Sequence, residues 1–332
     1  MSRLRISLAC WNYDRTRALQ DGRVVPDGLD VNYIPLPVEE TFFRMVRHRE
    51  FDVSEMSLST YVLSLFGEEK PFVAIPVFPS KCFRHSGIFV NREKKIRDPK
   101  DLMGRKVGLP EYQLTACVWI RGIMSDEYGV PVDSVTYYSG GEEEPGRSEK
   151  LGISLPDRIK LNAIPEGSTL SAMLESGDID ALYSPRAPLN LSRPGRETSV
   201  VRLFPDYEAR EREYFAKTKI FPVMHVIAIR REIYERNPWI ATSLYKAFQD
   251  SQRMAYEELS ATNVLAYMDP WLISHVEETK ELMGPDYWSY GLGPNRKTIE
   301  KFLRYSYDQG LAKKLLTPEE IFVKGTTESF KI

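Results

Sequence analysis

One arrangement of strands and helices occurs twice along the 332-residue chain, and this repetition restricts the fold more than any other feature. The first copy opens with an alternating strand at Leu4–Cys10, followed by Trp11-Asn12-Tyr13. A helix is predicted over Glu39–His48, with Phe42, Phe43, Met45 and Val46 as its apolar face, and then comes Phe51-Asp52-Val53-Ser54-Glu55-Met56-Ser57. The second copy opens at Lys106–Leu109, followed by Pro110-Glu111-Tyr112. Helices are predicted over Thr115–Tyr128 and Thr169–Glu175, and Gly177–Ser184 closes the copy. In each copy an aspartate, Asp52 or Asp180, leads into the last strand. Strands alternating with helices predict an α/β protein with largely parallel sheets. Two such lobes predict a cleft between them. Ligands of open α/β sheets sit beyond the carboxyl ends of strands. That rule nominates Trp11–Tyr13, Glu55–Thr60, Pro110–Thr115 and Tyr183–Arg186.

Two similar stretches bracket the second copy, His85–Glu93 and His225–Glu232, each a strand with a histidine at its start. They read as the crossings between lobes. The first lobe is then discontinuous, 1–88 with 226–332, and the second is 89–225. Helices at Ile240–Leu259, introduced by Asn237-Pro238, and at Arg296–Gln309, stopped by Gly310, complete the first lobe. Residues 139–156 are rich in glycine, proline and charge without apolar periodicity. They read as a long loop, either a lid or a surface insertion.

Composition removes several classes of function. Lys+Arg 45 against Asp+Glu 47 leaves a net charge of −2, with no basic excess for nucleic-acid phosphates. No apolar run approaches the ~18 residues of a membrane span. The three cysteines form no CxxC pair, which favours a reducing compartment. The apolar stretch Ile6–Trp11 is too short for a secretion signal, so an unprocessed cytoplasmic protein is expected. P-loop, GxGxxG, HExxH and GxSxG motifs are all missing from the sequence. No two of the four histidines have helical ligand spacing, so no dedicated metal site is expected. Plentiful aromatics leave room for a homo-oligomer.

Among polar residues, His85 and His225 are the candidate acid and base, because imidazole titrates near working pH. The alternative for both is a hinge histidine satisfied by backbone. Glu55 is either a base or a cap for the next helix. Arg186 suits a carboxylate through paired hydrogen bonds, and Arg84 is a second such candidate. Thr115 falls at a helix N-terminus, where free N–H groups favour an anion. Ser57 lies beside Glu55, and Tyr183 and Ser184 precede Arg186. Trp11 and Tyr112 are placed to stack on a ring or to cover core.

A set of longer motifs runs over nearly the whole chain. They are Phe78-Pro79-Ser80 through Phe83-Arg84-His85-Ser86, the Gly140–Lys150 loop, Ile164–Gly167, Ser184–Pro188, Arg202–Tyr207 and Phe221–His225. Pro238-Trp239, Leu244–Phe248, Tyr290-Gly291 and Pro294–Thr298 continue the set. In these the chain resembles the 4,5-dihydroxyphthalate decarboxylase family, built on the type II periplasmic-binding-protein fold. The resemblance implies a two-lobed α/β fold with an interlobe cleft. It also implies non-oxidative loss of CO2 from a hydroxylated aromatic dicarboxylate, giving protocatechuate, and the chemistry of such a substrate is consistent with a route that needs no cofactor. The partner is then a small aromatic carboxylate substrate. Position, not the resemblance, suggests His85 or His225 as proton donor to carbon, with Glu55 or the other histidine taking a phenolic proton. Arg186, helped by Thr115 and Ser57, would hold the retained carboxylate. A small-carboxylate binding protein and another lyase on the same fold are the competing expectations.

Overall fold

The computed structural model describes residues 3–327. Its strands are β1 (Leu4–Ala9), β2 (Leu29–Ile34), β3 (Val53–Ser57), β4 (Phe72–Ile75), β5 (Ile88–Asn91), β6 (Lys106–Leu109), β7 (Thr136–Ser139), β8 (Lys160–Ala163), β9 (Ala181–Tyr183), β10 (Val200–Arg202) and β11 (His225–Arg230). The chain forms two compact units and changes between them after Lys81, Lys217, Glu300 and Leu315. The third change falls within the helix Leu292–Asp308.

The first unit holds a five-stranded sheet of order β2-β1-β3-β11-β4. β1 runs parallel to β2 and β3, whereas β11 is antiparallel to β3 and β4. Asp52 fixes the start of β3. Its Oδ2 accepts from the Ser7 N–H and Oγ–H at 2.9 Å each, and its Oδ1 from Arg230 Nη2 at 3.0 Å. The helix Val38–His48 buries Phe42 and Met45 and ends at Arg49 in the left-handed region, φ 51°. Phe43 and Val46 were expected on the same face. One residue advances a helix by about 100°, so Phe43 leaves the buried stripe; it is exposed and lies under the Arg47 guanidinium at 4.3 Å.

The second unit holds a six-stranded sheet of order β10-β5-β9-β6-β7-β8. β6 is parallel to β7 and β9, and β5 is antiparallel to β9. The run β7-β6-β9-β5 therefore repeats β2-β1-β3-β11 in order and direction. Asp180 repeats Asp52, its Oδ2 accepting the Lys106 N–H at 2.9 Å. Phe89, Leu170, Leu174, Ile179 and Leu182 pack as one core between sheet and helix Leu170–Ser176.

Lys301–Leu315 joins this second unit through aromatic packing on the helix Thr115–Tyr128. Phe302 and Tyr305 lie 5.7 and 5.6 Å from the Trp119 ring. The Tyr305 ring also lies over Gly122, 2.2 Å from where a Cβ would stand. The glycine here makes room for a ring. Gly122→Ala should lower stability by about 1–3 kcal/mol through overpacking, despite the better helix propensity of alanine. Thermal melting checks this, and an unchanged midpoint would mean that Tyr305 moves aside without penalty. Among the described residues no helix is long and apolar enough to cross a membrane.

Candidate active site

The register between β3 and β11 sets Ile227 opposite Glu55 and His225 opposite Ser57. The register between β1 and β3 sets Ala9 beside Ser54, so the exit of β1, Cys10–Tyr13, arrives at Glu55. Glu55 is wholly buried, at 0% exposure. Its Oε1 accepts from Tyr13 Oη–H at 2.7 Å and stands 2.6 Å from His225 Nδ1. Its Oε2 accepts from the Trp11 N–H at 3.1 Å and the Cys10 thiol at 3.5 Å. Burial pushes this carboxyl up. The charge and hydrogen bond of His225, with the Tyr13 and Trp11 bonds, outweigh burial and hold it below the usual carboxylate range. Burial first, then the Glu55 charge, raises the Tyr13 phenol and the Cys10 thiol, so both stay protonated donors.

The result is an ionised carboxylate in a dry setting, surrounded by donors and aimed at one imidazole. His225 keeps 16% side-chain exposure, and the Phe42 ring packs edge-on against it at 4.8 Å. With Nδ1–H directed to Glu55, its Nε2 has no hydrogen-bond partner among the described residues. A carboxylate that fixes one ring nitrogen leaves the other poised to give or take a proton. Trp11 stands beside the pair, its N–H on Glu55, and the residue is 41% exposed. Ser57 is the cap of the next helix, accepting the Thr60 N–H at 3.4 Å.

Glu55, Ser57, Trp11 and His225 thus belong to the first unit, and the remaining nominated residues to the second. His85 is buried, and neither ring nitrogen has a hydrogen-bond partner among the described residues. Tyr128, Phe204 and Tyr214 surround it at 5.8, 5.6 and 5.5 Å. Burial, with the Arg210 charge second, pushes its pKa down to about 4. Tyr112 is buried with Oη–H on the Gln309 carbonyl at 3.1 Å, and its ring carries the Arg121 guanidinium at 3.8 Å. Thr115 begins its helix in a buried position, and Tyr183 is buried, its carbonyl accepting the Cys117 thiol at 3.4 Å. Ser184 Oγ–H donates to Glu142 Oε2 at 2.6 Å and Oγ accepts the Arg186 N–H at 3.1 Å. The Arg186 side chain is exposed and Arg84 is half-buried.

The loop 139–156 spends its charges on its own unit. Arg147 and Lys150 both pair with buried Glu111, Arg147 Nη2 at 2.7 Å. Glu149 accepts the N–H groups of Tyr112 and Gln113, and Glu143 accepts from Ser171 Oγ–H at 2.7 Å. A cavity of about 450 Å³ opens between this loop and the strand ends at Ser139 and Ala163.

Two first-unit cations escaped the sequence reading. Lys81 is buried, its Nζ donating to the Ser289 carbonyl at 2.8 Å and Asn295 Oδ1 at 2.7 Å. Burial lowers its pKa to about 7. Arg15 follows the nominated Trp11–Tyr13 stretch by two residues; that proximity was the available signal. Among the described residues no three His, Cys, Asp or Glu side chains are grouped to hold a metal ion.

The chain's fold is similar to that of solved binding proteins. The periplasmic sulfonate-binding protein SsuA of Methylobacillus flagellatus superposes with a TM-score of 0.51 at 13% identity, covering 98% of this chain and 93% of that one. The SsuA of Xanthomonas axonopodis pv. citri gives a TM-score of 0.50 at 10% identity, covering 97% and 99%. The chain is therefore of the periplasmic-binding-protein-like fold class. No family model matches it. A 4,5-dihydroxyphthalate decarboxylase of Comamonas testosteroni is 40% identical over 332 residues, 100% of both chains. One of Pseudomonas putida is 44% identical over 188 residues, 57% of this chain and 73% of that one. The chain belongs to the 4,5-dihydroxyphthalate decarboxylase family.

Proposed function

We propose that the protein converts 4,5-dihydroxyphthalate to protocatechuate and CO2 without oxidation, a step of phthalate catabolism. The 40% identity along the full chain carries this reading, and the Glu55–His225 pair supplies an acid for it. Each carboxylate of the substrate is para to a hydroxyl. Loss of a phenolic proton to water moves electron density onto the carboxyl-bearing carbon, and the same oxygen takes a proton back from water once CO2 has left. His225 Nε2–H then protonates that carbon, the C–C bond breaks, and its electrons restore the ring as CO2 departs. One proton is consumed per CO2 released, and His225 regains it from water. Glu55 touches no substrate in this scheme. It accepts Nδ1–H and fixes the orientation of the ring, a positioning role. The exposed Trp11 ring is a stacking surface for the planar substrate. His85, enclosed by rings, takes no part.

The reaction belongs in the cytoplasm, where the free thiols of Cys10, Cys82 and Cys117 stay reduced and Cys10 remains a donor to Glu55. Chromatography of 4,5-dihydroxyphthalate incubated with the purified protein should show protocatechuate with matching CO2 release. Tight binding without product would instead favour a small-carboxylate binding protein.

A further inference from the structure

We propose that Arg15 holds the carboxylate that the substrate keeps. The inference rests on the decarboxylase reading and assigns the clamp to the first unit, in place of Arg186. Arg15 lies in the short turn Asp14–Thr16, directly after Tyr13. Its guanidinium is fixed on every side but one. The carbon stands 4.2 Å from the Tyr13 ring centroid and 4.0 Å from that of Trp288. Nε–H donates to the Pro79 carbonyl at 2.7 Å, and Nη1–H to Asp14 Oδ1 at 2.8 Å. Trp288 is itself held, its indole N–H donating to the Phe78 carbonyl at 3.0 Å.

Nη2 remains. It has no hydrogen-bond partner among the described residues and is not enclosed; the side chain keeps 15% exposure. Buried Arg121 in the second unit is the contrast, because its unpartnered Nη1 is sealed from any ligand. Lys81, the other cation of this neighbourhood, is buried with its amine on two carbonyl oxygens. A guanidinium immobilised by stacking and by two hydrogen bonds loses little freedom when it takes a carboxylate.

Tyr13 ties this group to the proton donor. Its ring carries Arg15, and its hydroxyl bonds the same Glu55 oxygen that holds His225. The two carboxylates of 4,5-dihydroxyphthalate sit on adjacent ring carbons. The clamp for one must therefore lie close to the acid that acts at the carbon bearing the other. The retained carboxylate suits Arg15 because it stays ionised throughout. A cation held on the departing carboxylate would stabilise the ground state and oppose the formation of neutral CO2.

Protocatechuate and catechol separate this role from scaffolding. Both carry the diol, and only protocatechuate carries the retained carboxylate. Inhibition constants for both, with KM for 4,5-dihydroxyphthalate, would be measured on the wild type, Arg15→Gln, Arg15→Lys and Arg186→Gln. Arg15→Gln should weaken protocatechuate and raise KM by about 10- to 100-fold, the loss expected for a hydrogen bond between charged groups. Catechol inhibition should stay within about twofold, because it lacks the group concerned. Arg15→Lys should recover part of the loss, since it keeps charge but not the fork; it also serves if the glutamine variant does not fold. Equal weakening of both ligands, or selective loss in Arg186→Gln alone, would overturn the assignment. A wild type that converts no 4,5-dihydroxyphthalate would overturn the decarboxylase reading, and this inference with it. Normal wild-type turnover without the selective loss would overturn this inference alone.

Discussion

Exchange of His225 for glutamine is expected to lower kcat on 4,5-dihydroxyphthalate by about 10²- to 10⁴-fold, the usual contribution of a general acid. KM and melting temperature should change little. Glutamine can still donate an N–H toward Glu55, so the buried carboxylate keeps a partner, but it offers no titratable proton where Nε2 stood. Glu55→Gln should behave differently. Its neutral amide replaces the ionised acceptor of Tyr13, Trp11, Cys10 and His225, all within 3.5 Å. Activity and stability should then fall together, because buried donors lose a charged acceptor. Steady-state kinetics with thermal melting reads both effects. Near-normal kcat in His225→Gln would remove this histidine from the chemistry. The same result in His85→Gln as well would remove both histidines.

The duplication was readable because its markers are local. Asp52 and Asp180 each lead a strand and each turn out to fix that strand to its parallel neighbour. Helices Thr115–Tyr128 and Ile240–Leu259 have the bounds expected, since Gly129 in the left-handed region ends the first and Pro238 precedes the second. Strand direction was not readable. β5 and β11 run antiparallel to β9 and β3, and no local periodicity distinguishes that from a parallel neighbour. The unit divisions after Lys81 and Lys217 lie a few residues before the two histidine-led strands that were read as crossings. The fate of Lys301–Leu315 depends on Tyr305 meeting Gly122, a pairing far apart in sequence that spacing does not reveal.

The site shows the same limit. Glu55 and His225 could each be nominated from strand position, but they lie 170 positions apart. Their contact needs the β3–β11 register, which is a tertiary property. Strand position left Glu55 as a base or a helix cap and gave no sign of its burial. It is enclosed, and Ser57 does the capping. His85 and His225 open similar strings, yet one meets three rings and the other a carboxylate. Arg15 resembled any arginine in a charged turn, since the second ring that holds it, Trp288, comes from the far end of the chain.

That difference between the histidines leads to a second large effect, on stability. The folded chain holds His85 at a pKa of about 4, against an ordinary value of 6.5. Below pH 6.5 the unfolded chain binds a proton that the folded chain refuses until about pH 4. Stability is therefore lost as the pH falls through this window, by about 3 kcal/mol at its full extent from a shift of this size. His85→Phe should keep near-normal stability at pH 7, because Phe fits among Tyr128, Phe204 and Tyr214 and removes two unpartnered nitrogens. Its turnover should be that of the wild type, unlike His225→Gln. Between pH 6.5 and 4 it should unfold at progressively higher denaturant concentration than the wild type, with the gap widening as the pH falls. His85→Leu, without the ring, should show the same widening gap from a lower starting stability at pH 7. If both variants lose stability with acid as steeply as the wild type, the enclosed imidazole is not the group that titrates, and acid unfolding must come from the paired carboxylates.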